Sequence, residues 1–143
     1  MIDRDTFESW PQKRQMSHAN RIYSLRRKEV LQAFRDAGQW RDRTGKVREI
    51  VHHCWAGGQG HSTPWWYYFQ YENLLPWSDY MHKTYHDVSR DKWTEEQKWE
   101  AEIAETIRED MMEDNRQYQN QRKDTSGIEE YNSVADIIKS LDE

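Results

Sequence analysis

Four of the six histidines in the chain form two pairs, and the spacing within each pair requires a different backbone conformation. His52 and His53 are adjacent in an apolar, β-branched stretch, so on an extended strand their side chains would point to opposite faces. His82 and His86 are four residues apart, so on a helix they would share one face. The sequence therefore predicts a strand and a later helix that gather three imidazoles and leave the fourth beside them.

The residues around these pairs predict the local structure that carries them. Residues 39–55 predict a hairpin with its turn at residues 43–46, and the second strand of this hairpin carries the first histidine pair. Residues 73–76 predict another short strand, and Ser78 is a suitable N-cap for the helix of the second pair. The aromatic run of residues 64–71 predicts core packing, with a platform for stacking unpaired bases as the alternative.

The segment before the hairpin predicts one helix. Residues 1–16 predict an irregular segment, because Pro11 interrupts it. Residues 17–37 then predict a helix with Ser17 as its N-cap and Gly38 just beyond its C-terminal end.

A longer helix is predicted from residue 94 to about residue 121, where Thr94 and Gln97 form a capping box. An apolar stripe with a spacing of four residues predicts its core-facing side: Trp99, Ile103, Ile107 and Met111. These patterns predict one main domain over residues 17–121. Residues 122–143 are predicted to form a linker and a short helix. The apolar edge of that last helix is suited to docking on its own domain or on a partner: Val134, Ile137, Ile138 and Leu141.

The chemistry of the histidines indicates a metal site next to a base. Three imidazoles with an open fourth position suit zinc or nickel, whereas magnesium usually takes oxygen ligands. A neutral imidazole can accept a proton from water, and an amide such as that of Asn73 can fix its tautomer. The alternative is that each pair is merely polar and exposed, as single histidine pairs on strands and helices usually are.

The order and spacing of His52, His53, Asn73, His82 and His86 resemble the HNH endonucleases, which are ββα-metal or His-Me finger nucleases, and in particular the colicin-type nuclease domains. The resemblance implies that His52, His82 and His86 bind a divalent metal ion. It implies that His53 is the general base that activates water, and that Asn73 holds its ring by a hydrogen bond.

The resemblance covers about residues 46–90 and implies an α+β fold. In that fold a small ββα-metal core is flanked by an N-terminal helix and a long C-terminal helix. The cofactor would be a divalent ion, namely zinc, nickel, manganese or magnesium. The chain departs from many relatives in having a single cysteine, Cys54, and therefore no paired zinc knuckle. The small size suggests a nuclease of the phage or mobile-element type.

Charge is unevenly distributed along the chain. Residues 1–60 hold twelve Lys or Arg against seven Asp or Glu, whereas residues 61–143 hold nine against nineteen. A basic first half predicts contacts with the phosphates of DNA, and the candidate residues are Arg26, Arg27, Lys28, Arg43, Lys46 and Arg48. The acidic second half suits a protein partner through the long helix or the terminal apolar helix.

Composition narrows the class of protein. No apolar run approaches 18 residues, so no membrane contact is expected, and one cysteine is consistent with the cytoplasm, or a host cytoplasm if a phage encodes the protein. The sequence therefore predicts a metal-dependent endonuclease. Two alternatives remain open: a catalytically inactive module with the same fold, and an acidic interaction or inhibitor protein that binds a host protein.

Overall fold

The structure is a computed structural model that describes residues 2–56 and 63–131, with side chains described as far as residue 122. The chain divides into two compact units, Met1–Met111 and Met112–Glu143, and the features below belong to the first unit unless a helix is said to continue. The described elements, in chain order, are α1 (Arg4–Glu8), α2 (Gln12–Asp36), β1 (Ile50–His53), α3 (Trp65–Tyr68), β2 (Leu74–Trp77), α4 (Asp79–Asp87) and α5 (Glu95–Tyr131).

Helices dominate this α+β arrangement, and its sheet is a single antiparallel pair of four-residue strands. In the register of the sheet, Ile50 lies opposite Trp77 and His53 lies opposite Leu74. The predicted strand at residues 73–76 is thus confirmed within one residue. The predicted turn is confirmed by an antiparallel bridge between Arg41 and Val47, but the longer hairpin is wrong, because β1 pairs with β2.

The polar contacts of Asp42 explain why the hairpin does not extend. The Asp42 carboxylate accepts hydrogen bonds from the backbone amide and the hydroxyl of Ser78, at 2.9 and 2.5 Å, and also from Thr44. These contacts tie the turn to the start of α4 instead of to a second strand. Ser78 in turn caps α4 by accepting a hydrogen bond from the Met81 amide, as the sequence predicts.

Two clusters of buried apolar side chains form the core. The first core cluster lies around the sheet, α4 and the start of α5: Cys54, Leu75, Trp77, Met81, Trp93, Ala101 and Ala104. The second core cluster joins α1, α2 and the aromatic run: Phe7, Ala19, Trp65 and Phe69, with Trp66 and Tyr68 packed against them. The aromatic run is therefore core, as predicted.

The N-terminal segment that was predicted to be irregular is helical. Asp3 caps α1 by accepting a hydrogen bond from the Thr6 amide, at 2.8 Å. Pro11 does not break a helix but begins one, because a proline at a helix start gives up no hydrogen bond that the helix needs. Its carbonyl accepts from the amides of Arg14 and Gln15, so α2 begins five residues before the predicted N-cap, Ser17.

The capping box of α5 is confirmed, because the Thr94 amide donates to the Gln97 side chain and the Gln97 amide donates to the Thr94 hydroxyl. The predicted core stripe is confirmed at Ile107, which packs against the first core cluster, but it is wrong at Trp99 and Ile103. Trp99 is 48% exposed and Ile103 is 37% exposed, whereas Ala101 and Ala104 are buried. The buried face of α5 is rotated by about one residue from the predicted stripe. Its small alanine side chains let the helix approach the first core cluster closely.

The predicted linker at residues 122–127 is also wrong, because α5 continues to Tyr131. A glycine inside a helix costs only about 1 kcal/mol, so Gly127 need not end it. The predicted final helix with Val134, Ile137, Ile138 and Leu141 lies outside the described residues. In the part of the chain that the structure describes, no helix is both long enough and apolar enough to cross a bilayer.

A buried ion pair fixes α5 against the sheet. Glu100, 1% exposed, accepts hydrogen bonds from the Trp77 indole at 3.0 Å and from the Arg43 amide at 2.9 Å. Its carboxylate lies 3.9 Å from the guanidinium of Arg48, which donates to the carbonyls of Pro76 and Gln39 at 2.7 and 3.1 Å. One carboxylate thereby connects the helix, the second strand and the segment before the first strand.

We expect Glu100→Ala to lower the free energy of unfolding by about 3–5 kcal/mol, because it leaves a buried guanidinium without its partner. Glu102→Ala on the exposed side of α5 is the matched control and should change it by no more than about 0.5 kcal/mol. Urea unfolding of both variants measures the difference, and equal midpoints for the two variants would contradict this role of Glu100.

Candidate metal centre

His52 reaches the centre from β1. Strand alternation turns His52 toward the first core cluster, where it is 5% exposed and its ring stacks on Trp77 with centroids 4.2 Å apart. The Tyr85 ring from α4 meets its edge at 5.2 Å. The orientation of the His52 ring is therefore set by two aromatic neighbours.

His82 and His86 reach the centre from α4. Met81 and Thr84 are buried and hold the opposite side of this helix, so the two histidines face β1 from the rim. His82 is half-buried and His86 is exposed, and their Nε2 atoms lie 3.1 Å apart. Because residues four apart lie on the same face of a helix, both rings reach the same point, as predicted.

The three imidazoles converge on a common point. One nitrogen each from His52, His82 and His86 can be chosen so that all three lie within 4.8 Å of one another. Among the described residues, the Nε2 atom of His52 is a buried side-chain nitrogen with no hydrogen-bond partner. Leaving such an atom unpaired is costly, and a metal ion would satisfy it. Tetrahedral zinc bonded at 2.0–2.1 Å needs nitrogens about 3.3 Å apart, a separation that His82 and His86 already approach.

Burial keeps the rings of His52 and His82 neutral. Burial lowers the pKa of His52 to about 3, and the charges of His82, His86 and His53 act in the same direction. Burial also lowers the pKa of His82, assisted by His86 and opposed by Asp79 and Asp87. Metal binding requires a neutral imidazole with a free lone pair, so at neutral pH these two residues need not lose a proton first. The residues present therefore fit a divalent transition metal.

His53 lies on the opposite face of β1, as strand alternation predicts. Its Nε2 atom is 2.9 Å from the backbone oxygen of Tyr68, which can only accept, so Nε2 carries the proton and Nδ1 keeps its lone pair. The ring stacks on the Tyr68 ring at 4.3 Å and touches the Tyr23 ring at 4.6 Å. Burial lowers its pKa to about 4 against the raising effect of the Tyr68 carbonyl. His53 is therefore a neutral imidazole with a fixed tautomer.

Asn73 does not hold the ring of His53, so the role expected for it is wrong. Its side-chain oxygen accepts from the Trp55 amide at 2.7 Å, and its nitrogen donates to the carbonyls of Trp55 and Tyr67, both at 2.8 Å. The side chain is fully buried. Asn73 thus fixes the backbone that follows β1 and the backbone just before Tyr68, whose carbonyl orients His53.

Two of the six basic residues predicted to contact phosphates are buried and cannot do so. Arg26, 5% exposed, donates to the Phe69 carbonyl at 2.8 Å, and Arg48 belongs to the ion pair with Glu100. Both side chains satisfy backbone carbonyls of distant segments, which a charge count cannot reveal.

The other four basic residues are exposed but fall into two groups. Arg27 and Lys28 line a groove of about 500 Å³ that also contains His82. Arg43 and Lys46 lie instead over the aromatic rings of Trp99 and Tyr80, at 4.2 and 5.9 Å. The first group is therefore beside the histidines, whereas no groove described here joins the second group to them.

Two elements of the site are not predicted from the sequence. One is the Tyr68 carbonyl, because a backbone contact across 15 residues leaves no sequence signal. The other is Arg108, which lines a cleft of about 290 Å³ together with His52, His53 and His86. Its position four residues after the buried Ala104 was the available signal, but the rotation of α5 was predicted incorrectly.

No protein-family model matches this chain, and no curated protein or solved structure shows significant similarity to it.

We expect the protein to bind one zinc or nickel ion per chain, because the three nitrogens are already close together. The double variant His82→Ala, His86→Ala should lose this binding in isothermal titration calorimetry. His18→Gln is the matched control, since the His18 ring contacts Phe7 and Phe69 and is not among the three ligands, and it should bind normally. Equal uptake by the double variant would refute the site.

Stability of the metal-free protein should depend on pH with a definite sign. The pKa of His52 (about 3) and that of His53 (about 4) lie below the ordinary 6.5, so below pH 6.5 the unfolded chain binds more protons. The free energy of unfolding should fall by about 2–3 kcal/mol from pH 7.5 to 5.5. Urea unfolding in the presence of a chelator measures this fall. In His53→Gln the fall should be about half as large, because only His52 then contributes to it. A flat profile would contradict the buried neutral rings.

Proposed function

We propose that this protein is a metal-dependent endonuclease of the HNH type that hydrolyses phosphodiester bonds in DNA. The observation that carries the proposal is the convergence of three imidazoles on one point, with a fourth imidazole of fixed tautomer on the adjacent residue. A purely structural histidine cluster has no need for a buried nitrogen without a hydrogen-bond partner, such as the Nε2 atom of His52. The order of β1, β2 and α4 also supports a ββα-metal core, with His52 on the first strand and the other two ligands on the helix.

His52, His82 and His86 would hold the ion, and their nitrogen donors favour zinc or nickel over manganese or magnesium. When bound, such an ion polarises a phosphate oxygen and stabilises the negative charge that develops on it. The surrounding protein keeps this position partly dry, because Trp77 and Tyr85 cover the ring of His52.

His53 would accept the proton from the attacking water at its Nδ1 atom. The Tyr68 carbonyl accepts a hydrogen bond from Nε2–H of His53 and so fixes the orientation of the ring. The lone pair on Nδ1 therefore keeps one direction. With a pKa of about 4, His53 is a weak base in the protein without substrate. A bound phosphate beside the ring would favour the protonated form and raise that pKa toward the working pH.

DNA would approach along the groove that contains His82. Arg27 and Lys28 line this groove from α2, and their charges can contact phosphates on one side of the centre. Glu49 and Asp79 also line it, so the attraction is local and does not extend over the whole surface. Arg26 takes no part in this contact, because its guanidinium is buried.

The test is cleavage of supercoiled plasmid with magnesium, manganese, nickel and zinc in turn. Wild-type protein should cut with at least one of these ions, and His53→Ala should cut roughly 100-fold or more slowly, on the scale of losing a general base. Calorimetry on the same His53→Ala sample should show unchanged metal affinity, because His53 is not among the three ligands.

Two results would contradict the proposal. Cleavage at the wild-type rate by His53→Ala would exclude His53 as the base. Metal binding without cleavage under any condition would identify the chain as an inactive metal-binding module with this fold.

A further inference from the structure

The cleft beside the three imidazoles carries one cationic side chain, Arg108, in an acidic protein. It is lined by His52, His53, His86 and Arg108, and no Asp or Glu lies among the described residues that line it. The chain as a whole carries 26 Asp and Glu against 21 Lys and Arg. A cleft without carboxylates is therefore a departure from the composition, and it selects for an anionic occupant.

The helical register of α5 explains why Arg108 reaches this cleft. Ala101 and Ala104 are buried against the first core cluster, and Arg108 follows Ala104 by four residues on the same side of the helix. At that point the core ends, and Tyr85 and His86 from α4 form the facing wall of the cleft. The helix thus directs a long cationic side chain toward the histidines.

Glu105 lies three residues before Arg108 on α5 and is already paired with another residue. The Glu105 carboxylate accepts hydrogen bonds from both terminal nitrogens of Arg90, at 2.8 and 2.6 Å, in a bidentate ion pair. Among the described residues, no ion pair or hydrogen bond is recorded for the Arg108 guanidinium, whose side chain is exposed. Its five N–H groups are accordingly available for a ligand.

We propose that Arg108 is a phosphate-binding residue and that this cleft takes a phosphodiester group of a nucleic-acid strand. A guanidinium can bind two phosphate oxygens at once, which holds the group in one orientation beside His53. Arg27 and Lys28 line a separate groove that contains His82, so a strand that occupied both would have cationic contacts in each. This inference rests on the proposed function and specifies how that function binds its substrate.

Binding without cleavage tests Arg108 separately from catalysis. The probe is a fluorescent 12-nucleotide single-stranded DNA, measured by anisotropy against wild type, Arg108→Gln, Arg108→Lys and Lys13→Gln, with a chelator present. Lys13→Gln is the matched control, because it removes one exposed positive charge at the start of α2.

Arg108→Gln should weaken binding by about tenfold, as expected for loss of a charged hydrogen bond. The slope of log affinity against log salt should become shallower by about 0.7, the value for one phosphate contact on a single strand. Arg108→Lys should recover part of the affinity, inorganic phosphate should compete with the probe, and Lys13→Gln should change the affinity less than twofold.

The failures of the two proposals are distinguishable. Wild-type affinity and salt slope in Arg108→Gln would overturn the role of Arg108, even if the protein cleaves DNA. Weakened binding in Arg108→Gln with no cleavage by wild type would support the phosphate site while contradicting the catalytic proposal. Equal losses in Arg108→Gln and Lys13→Gln would overturn the inference, because they would indicate general attraction without a specific site.

Discussion

The pairing of β1 with β2 is the constraint on which the site depends, and two four-residue strands cannot maintain it alone. Buried polar side chains hold both ends of the pair. At one end the Asn73 amide binds the backbone after β1, and at the other end Arg48 and Glu100 join the second strand to α5. The sheet is thereby made rigid enough to present His52 and His53 on opposite faces. Each of these contacts uses a hydrogen-bonding group that would be costly to leave unpaired.

The centre itself opposes folding. Burying His52 with an unpaired nitrogen and depressing the pKa of His52 and His53 both reduce stability below pH 6.5. Stacking on Trp77 and packing of Met81 offset this cost by burying large apolar surfaces next to the imidazoles. A bound ion would stabilise the fold further, because it satisfies the nitrogen that the protein leaves unpaired. In this arrangement metal binding would be coupled to stability.

Local signals allowed part of this to be predicted from the sequence. The cap at Ser78, the capping box of α5 and the strand-and-helix spacing of the histidines each depend on neighbours within a few residues, and each was correct. The functions of Asn73 and Arg26 were not predictable, because their partners come from segments 18 and 43 residues away. The exposure of Trp99 was missed for a similar reason. The buried hydrogen bond between Glu100 and the indole of Trp77 determines which face of α5 meets the core. The spacing of apolar residues in the sequence does not reveal such a contact.

The central claim is that three imidazoles from a strand and a helix form one metal site. Anomalous diffraction from crystals grown with zinc, recorded above and below the zinc absorption edge, tests it most directly. The account predicts one strong peak per chain, about 2.0–2.1 Å from one nitrogen each of His52, His82 and His86. A peak bound to other residues, or no peak at these three rings at saturating zinc, would contradict it.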